Sequence, residues 1–480
     1  MIAMKKFRSL RFTFALLAGI IVLSLLPAAP VWATHAEGSG FVPPVWTILP
    51  FLGILFSIAL CPLFAHHFWE HHYPKISFAW LVLAIVLMYV SVPGDMSFIE
   101  AFGAKFFSTY EEYIAFIILL GSLFIISGGI YISGDLAGSP KVNSIIILIG
   151  SLLASLIGTT GAAMLLIRPI LRANAHRKNQ SHVVLFFIFL VCNIGGSLTP
   201  IGDPPLFLGF LQGIPFEWTL ALTPHWAFAI IVVLAIFYGF DTYLYRREGL
   251  HENPPTLGGE PLRIQGSINF VLLLGVVGLV IMSGVLHIGP EIHVGALGVL
   301  HIPALLRDGG QIILAVISMA ITAKAIRESN SFNFEPIKEV AYLFIGIFTT
   351  MIPALMLLNA RGSELGLESA AGYFWATGIL SSFLDNAPTY LTFLATAMGS
   401  LGIEQAVGMT QNAHAETILT GISVGAVFMG AMTYIGNGPN FMVKAIAEGS
   451  GVRMPTFFGY LMYSMIILFP VFILVTFIFF

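Results

Sequence analysis

Residues 196–205 read Gly-Ser-Leu-Thr-Pro-Ile-Gly-Asp-Pro-Pro and lie inside an apolar segment, 181–213, that is long enough to cross a bilayer. Proline has no amide hydrogen and clashes with the preceding turn, so a helix cannot continue through this run. In hydrocarbon, each unpaired backbone N–H or C=O costs several kcal/mol, so the freed groups need protein, water or a ligand as partners. The stretch therefore predicts a broken membrane helix.

A second apolar segment, 416–448, carries a matching break. Its residues 430–439 read Gly-Ala-Met-Thr-Tyr-Ile-Gly-Asn-Gly-Pro, with Thr, Ile, Gly and the final Pro at the same offsets as in 196–205. A pair of matched breaks is typical of internal repeats, which many secondary transporters contain.

Two further apolar segments, 142–170 and 372–399, are interrupted near their middles. The first carries Gly-Thr-Thr-Gly-Ala-Ala at 158–163, and the second carries Leu-Asp-Asn-Ala-Pro-Thr at 384–389. We predict that both segments are re-entrant hairpins, which enter and leave the membrane on the same side.

The orientation of these segments follows from basic residues, which stay in the cytoplasm. They cluster in the loops 168–178, 246–263, 324–338 and 444–453. The crossings between these loops agree only if segment 372–399 returns to the side it entered. If segment 142–170 does the same, the N-terminus lies outside, which agrees with the signal-peptide pattern of residues 1–33. This count predicts two halves that are inverted in the membrane, each with a preceding span: 34–247 and 267–480, joined by a cytoplasmic linker at 248–266.

The amino-acid composition also indicates a membrane protein. The chain has 480 residues, of which 57% are hydrophobic and 9% charged, and its mean hydropathy is +0.92. Soluble domains carry about 25% charged residues, so lipid must cover most of this surface. The net charge of −3 gives no basic field for nucleic acid. We predict an all-α integral membrane protein with about ten transmembrane helices, two re-entrant hairpins and two broken helices. Three of the continuous spans are predicted at Ser77–Val92, Tyr113–Ile132 and Gln311–Ile326.

Residues 1–33 have the pattern of a signal peptide. Four basic residues precede the apolar run 12–26, and small residues offer a cleavage site after Ala33. An uncleaved first transmembrane helix is the alternative. The expected location is a bacterial-type inner membrane, with a multi-pass topology.

Two acidic residues, Asp203 and Asp385, fall at breaks in the middle of apolar segments. Ionisable residues at membrane depth are candidates for function. Each carboxylate could bind a cation or a proton, and competition between the two would give exchange. The alternative role for either residue is a helix cap.

Several neutral oxygen donors lie beside the same breaks and suit sodium coordination. They are Asn386, Asn437, Asn440, Thr159, Thr160, Thr199 and Thr433. A helix cap is again the alternative for each. Asp135, at the end of a span, could accept protons at the cytoplasmic entrance, although an ordinary interfacial cap explains it equally simply.

Four histidines, His66, His67, His71 and His72, form a cluster in which His67 and His71 share a helix face. Such a pair could hold a transition metal. Because the cluster lies outside the breaks, we predict no metal site, no cofactor other than sodium ions and protons, and no enzyme activity. An intramembrane metalloenzyme is the alternative from another class.

The motifs at 158–166, 198–205 and 383–388 resemble those of the ion transporter superfamily, which includes citrate and dicarboxylate carriers, arsenite permeases and NhaD-type sodium/proton antiporters. The resemblance covers nearly the whole chain after residue 33. It implies a homodimer in which a mobile portion holds both hairpins and moves against a scaffold.

This chain departs from the dicarboxylate carriers, which have Ser-Asn-Thr at both hairpin tips. A fixed carboxylate at Asp385 would repel an anionic substrate, and the tips and breaks contain no Lys or Arg to offset it. The motifs are closest to the NhaD-type pattern, so we predict a sodium/proton antiporter. A sodium- or proton-coupled citrate or dicarboxylate transporter is the alternative, with Asp385 binding the coupling sodium.

Overall fold

The computed structural model describes residues 41–134, 136–250, 261–285, 291–294 and 298–480. The predicted signal peptide, Asp135 and residues 251–260 of the linker lie outside the described residues.

The first half is mainly helical. In chain order it comprises α1 (Leu49–Phe64), α2 (His66–Ser91), α3 (Ala104–Ser127), β1 (Tyr131–Ser133), α4 (Pro140–Ile157), α5 (Thr159–Ala173), α6 (Ser181–Leu190), α7 (Pro204–Leu211) and α8 (Thr223–Arg247). Short 3₁₀ segments lie at Val45–Ile48, Ile194–Leu198 and Phe216–Leu222, and a π-helical turn, Ile99–Gly103, leads into α3.

The second half has the same order of long helices. A pair of short strands lies between its first two long helices, and an extra short helix follows the second. It comprises β2 (Arg263–Gln265), α9 (Ile268–Val285), β3 (Glu291–Val294), β4 (Gly298–His301), α10 (Ile302–Ile321), α11 (Lys324–Ser329), α12 (Glu335–Arg361), α13 (Ala370–Phe383), α14 (Asn386–Leu401), α15 (Ala413–Met429), α16 (Gly438–Gly449) and α17 (Phe457–Phe479). Short 3₁₀ segments lie at Gly362–Leu365, Ala406–Thr410 and Gly430–Met432.

Ten helical segments in the described part of the chain are long and apolar enough to cross a membrane. They include α4, the first arm of the first predicted hairpin, whereas the apolar part of α9, Ile268–Gly284, is slightly too short to be counted. The predicted class, an all-α integral membrane protein, is confirmed.

Two small antiparallel strand pairs were not predicted. Strand β1 pairs with β2, so that Tyr131 lies opposite Gln265 and Ser133 opposite Arg263. Strand β3 pairs with β4 between α9 and α10. Strands of three or four residues are too short for an alternating pattern to show in the sequence. The first pair ties the end of α3 to the linker between the halves.

Three predicted span starts are too late in the chain. The sequence placed the start of α10 at Gln311, but the helix begins at Ile302 and includes Arg307 and Asp308. These two charges lie 2.7 Å apart as an ion pair, so they do not end the apolar helix. Helices α2 and α3 also begin before their predicted starts at Ser77 and Tyr113, because their first turns are polar and aromatic.

The predicted hairpins are present as pairs of antiparallel helices. Helices α4 and α5 meet at Gly158, whose φ of +79° favours glycine. The far ends of the two arms are joined by a hydrogen bond of 2.7 Å from the Gly138 amide to the Ala173 carbonyl. We call α4–α5 hairpin 1 and α13–α14 hairpin 2. Their entry into a membrane from opposite sides stays a prediction.

Both broken helices are interrupted at the predicted positions. Residues 191–203 separate α6 from α7, and residues 430–437 separate α15 from α16. Each break folds back on itself at a pair of glycines. A Cβ on Gly202 would overlap the carbonyl oxygen of Gly196, and a Cβ on Gly436 would lie 2.6 Å from that of Gly430.

Replacing Gly202 with alanine should therefore destabilise the protein. Because the added methyl group meets backbone, which cannot give way as a side chain can, we expect a loss of about 1–3 kcal/mol in unfolding free energy. Thermal unfolding of the purified protein in detergent would measure it. The matched control is Gly438→Ala at the start of α16, directly after the second break, where a Cβ meets nothing within 4 Å. Equal stability of the two variants would contradict the close packing described for Gly202.

Candidate ion-binding site

The side chain of Asp203 lies where the two hairpins and the two breaks meet. It is 1% exposed. Its Oδ1 accepts hydrogen bonds from Thr159 Oγ1 at 2.9 Å and from Asn437 Nδ2 at 3.0 Å. Its Oδ2 accepts one from Asn386 Nδ2 at 2.5 Å. One carboxylate thus contacts three other segments of the chain, and four of the predicted site residues, Asp203 included, meet there.

The repeat explains why these residues meet. Thr159 is the first residue of α5 and Asn386 is the first residue of α14, so both stand at a hairpin tip. Asp203 directly precedes α7, and Asn437 directly precedes α16. The two residues occupy the same offset in the matched runs 196–205 and 430–439. Equivalent positions of the two halves therefore face each other across the site.

Asp385 has a different environment from Asp203. It is half-buried, and its Oδ1 accepts a hydrogen bond of 3.0 Å from the Ala387 amide at the start of α14. The helix-cap alternative therefore describes Asp385. It does not describe Asp203, whose side chain makes no capping bond to α7.

Thr199 and Thr433 connect the breaks to the hairpins by hydrogen bonds. The Thr199 hydroxyl donates to the carbonyl of Ser155 near the end of α4, and the Thr433 hydroxyl donates to the carbonyl of Ser382 near the end of α13. Each satisfies a carbonyl at a helix end that would otherwise lack a partner. The structure places both predicted site residues inside the breaks, with their hydroxyls on hairpin carbonyls and not on Asp203.

Asn440 holds the second break together. Its Nδ2 donates to the carbonyls of Gly430 at 2.8 Å and Thr433 at 2.9 Å, and its Oδ1 accepts a bond of 2.8 Å from Asn193. Asn193 was not singled out in the sequence. The signal available in the sequence was an asparagine directly after an unbroken apolar run, 183–192. The Asn193–Asn440 pair links the two breaks directly.

Thr160 follows Thr159 at the tip of hairpin 1 and is half-buried. Within the described ranges, the buried Oδ1 of Asn386 has no hydrogen-bond partner. Among the same residues, no Lys, Arg or His forms an ion pair with Asp203 or Asp385. The site therefore contains acidic and neutral groups. Asp135, the predicted proton entrance, lies outside the described residues.

The histidine cluster lies at the start of α2, on a different segment from the site. The rings of His67 and His71 are 4.6 Å apart, and the side chain of His66 is not described. The described part of the chain contains no group of three or more His, Cys, Asp or Glu residues that could hold a metal ion.

The chain is similar to several mycobacterial membrane proteins. It is 26% identical to an uncharacterized transporter of Mycobacterium tuberculosis over 323 residues, which are 65% of this chain and 71% of the relative. The same values hold for an uncharacterized transporter of Mycobacterium bovis. It is 25% identical to a 46 kDa membrane protein of Mycobacterium leprae over 328 residues, again 65% and 71% of the two chains.

A family match covers nearly all of the described chain. Residues 41–480 match the family described as "Putative citrate transport". This range includes both hairpins, both breaks and every residue that contacts Asp203. The chain therefore belongs to this citrate-transport family of membrane transporters.

Proposed function

We propose that the protein is a secondary active transporter of a bacterial inner membrane that exchanges sodium ions for protons, with Asp203 and Asp385 as the exchanging carboxylates. One observation carries this proposal. The buried Asp203 carboxylate has three hydrogen-bond donors, Thr159, Asn386 and Asn437, and all three are neutral.

The charge of Asp203 requires a positive partner. Placing an ionised aspartate at the centre of a membrane helix costs roughly 2.5–3.5 kcal/mol on the insertion scales, which give the lowest values. Neutral donors reduce this cost but leave the net charge in place. A bound sodium ion or a proton would neutralise it. Because one carboxylate cannot hold both at full occupancy, loading one ion displaces the other, which is the requirement for exchange.

The amide of Asn386 supports a cation as the bound species. A carboxylate only accepts hydrogen bonds, so the Asn386 NH₂ group must face Asp203, and its Oδ1 must point away. That oxygen is buried and unpartnered within the described ranges. Hard cations prefer oxygen ligands of this kind. Asp385, the preceding residue in the chain, adds a second carboxylate at the same hairpin tip.

The helix N-termini around the site offer few amides to an anion. Helix α7 begins with Pro204 and Pro205, which have no N–H. The Thr159 amide at the start of α5 already donates to the Gly202 carbonyl at 2.8 Å. The Ala387 amide at the start of α14 donates to Asp385. An anion would have to compete with these internal acceptors.

A cation-coupled citrate or dicarboxylate carrier is the second candidate. The family description favours it, and so does the presence of four helix N-termini beside one site, since each carries partial positive charge. In this case Asp203 and Asp385 would bind the coupling sodium ion or proton. In either case, the hairpins would move with the breaks in each protomer of a homodimer, as the superfamily resemblance implies.

Reconstituted protein should dissipate a preset pH gradient across proteoliposomes when sodium is added. Asp203→Asn and Asp385→Asn should each reduce this flux by at least about 100-fold, because neither variant can exchange a proton for sodium at that position. A fluorescent pH indicator inside the vesicles measures the flux. Glu364→Gln is the control, since Glu364 pairs with Arg361 in an exposed ion pair.

The same vesicles discriminate between the candidates. Citrate and succinate are added in turn, with sodium and with potassium. Sodium-driven proton movement without an organic anion supports antiport. Uptake of citrate that requires sodium, with no proton movement by sodium alone, would overturn the antiport proposal in favour of the carrier.

Sodium binding should also stabilise the purified protein against heat. A ligand at 100 times its Kd adds about 2.7 kcal/mol to the unfolding free energy. We therefore expect sodium chloride, compared with choline chloride at equal ionic strength, to raise the Tm of the wild type. The Asp203→Asn variant should lose this increase because it lacks the charge. A sodium-dependent increase of the same size in that variant would exclude Asp203 as a sodium ligand.

A further inference from the structure

A second buried carboxylate, Asp241 of α8, lies in a polar cluster far from the central site. Its side chain and that of Arg177 are both 0% exposed. Asp241 Oδ1 lies 2.5 Å from Arg177 Nη1 and 2.7 Å from His182 Nε2. Its Oδ2 accepts a hydrogen bond of 3.0 Å from Asn143 Nδ2. Both oxygens of the Asp241 carboxylate have donors within hydrogen-bond distance, so Asp241 holds these neighbouring side chains in place.

This cluster closes the base of hairpin 1. Asn143 lies in the first turn of α4, and Asn174 is the C-cap of α5. Their side-chain amides exchange hydrogen bonds of 2.9 Å and 2.8 Å. Asn143 also donates to Asp241. The two arms of the hairpin are thereby tied to each other and to α8.

The cluster also holds the helix that leads to Asp203. His182 lies in the first turn of α6, which runs into the first break. Asp241 therefore anchors the hairpin that carries Thr159 and the helix that precedes Asp203. Helix α5 has 15 residues, which span about 22 Å at 1.5 Å per residue. Because a helix transmits displacement along its axis, a shift at Asn174 moves Thr159.

Hairpin 2 shows that the fold does not need charges at a hairpin base. Its corresponding end is held by a bond of 3.3 Å from Tyr373 Oη to Ser400 Oγ. Next to it, Phe374 packs on Phe480 with ring centroids 5.2 Å apart. One neutral hydrogen bond and aromatic packing therefore hold the base of hairpin 2. Buried ion pairs add little net stability compared with apolar groups of similar size, so stability alone does not account for the cluster around Asp241.

We propose that Asp241 is a positioning residue for the central site: by fixing the base of hairpin 1 and the start of α6, it sets the contact between Thr159 and Asp203. Loss of Asp241 loosens the tip of hairpin 1 while leaving every group that touches Asp203 chemically unchanged. The transport part of the test below rests on the proposed sodium/proton exchange. The labelling part is independent of any substrate.

The position of the tip can be followed by cysteine labelling. Thr160→Cys is introduced with Cys61→Ser, while the natural Cys192 stays because it is fully buried. The labelling rate with a membrane-permeant maleimide is then measured with and without Asp241→Asn or Asn143→Ala. Each variant should speed the labelling about tenfold, because local opening becomes easier when its contacts are removed. Tyr373→Phe at the base of hairpin 2 is the matched control and should leave the rate unchanged.

Unchanged labelling in both variants, or equal acceleration by Tyr373→Phe, overturns the proposal. If Asp241→Asn fails to reach the membrane, the milder Asn143→Ala decides. In vesicles, these variants without the introduced thiol should raise the KM for sodium about tenfold and keep kcat within about twofold. A lower kcat at unchanged KM contradicts positioning. If the wild type moves no sodium, the exchange proposal fails, and the labelling result still decides the role of Asp241.

Discussion

The structure depends on one constraint: backbone groups released inside an apolar environment must find partners within the protein. Two helices break next to each other, and their free carbonyls and amides are taken up by side chains from the hairpins and from the opposite break. Ser155 Oγ of hairpin 1 donates to the Gly195 carbonyl, and Asn437 Nδ2 of the second break donates to the Cys192 carbonyl. Since these bonds fix the breaks, the Asp203 side chain can reach donors from three other segments.

The two halves share the bracing but differ in charge. The threonines donate to equivalent serine carbonyls, and the paired glycines approach each other in both breaks. At the central offset, however, one half has Asp203 and the other has Asn437. The amide donates to the carboxylate at 3.0 Å. A second carboxylate at that distance would repel the first. With asparagine in one half, the pair carries a single negative charge, and the Asn437 amide donates a hydrogen bond to it.

Much of the architecture could be predicted from sequence, because proline and glycine inside apolar segments leave few alternatives. The breaks and hairpin turns lie where Gly158, Gly202 and Gly436 indicated them. The span starts at α2, α3 and α10 were misplaced, since polar first turns look like loops when their partners are unknown. The roles of Asn193 and Asp241 could not be read from the sequence, because they depend on contacts between residues that are 59 to 247 positions apart.

The two hairpins differ in how they are held around one carboxylate. Hairpin 1 is held at its base by the buried Asp241 carboxylate and at its tip by the hydroxyl and amide of Thr159, which donate to Asp203 and to the Gly202 carbonyl. Hairpin 2 is held at its base by one neutral hydrogen bond and aromatic packing, and at its tip by the Asn386 amide. Asp203 is thus contacted by one hairpin with a charged anchor and by one with neutral anchoring, so the two halves are matched at their tips and differ at their bases.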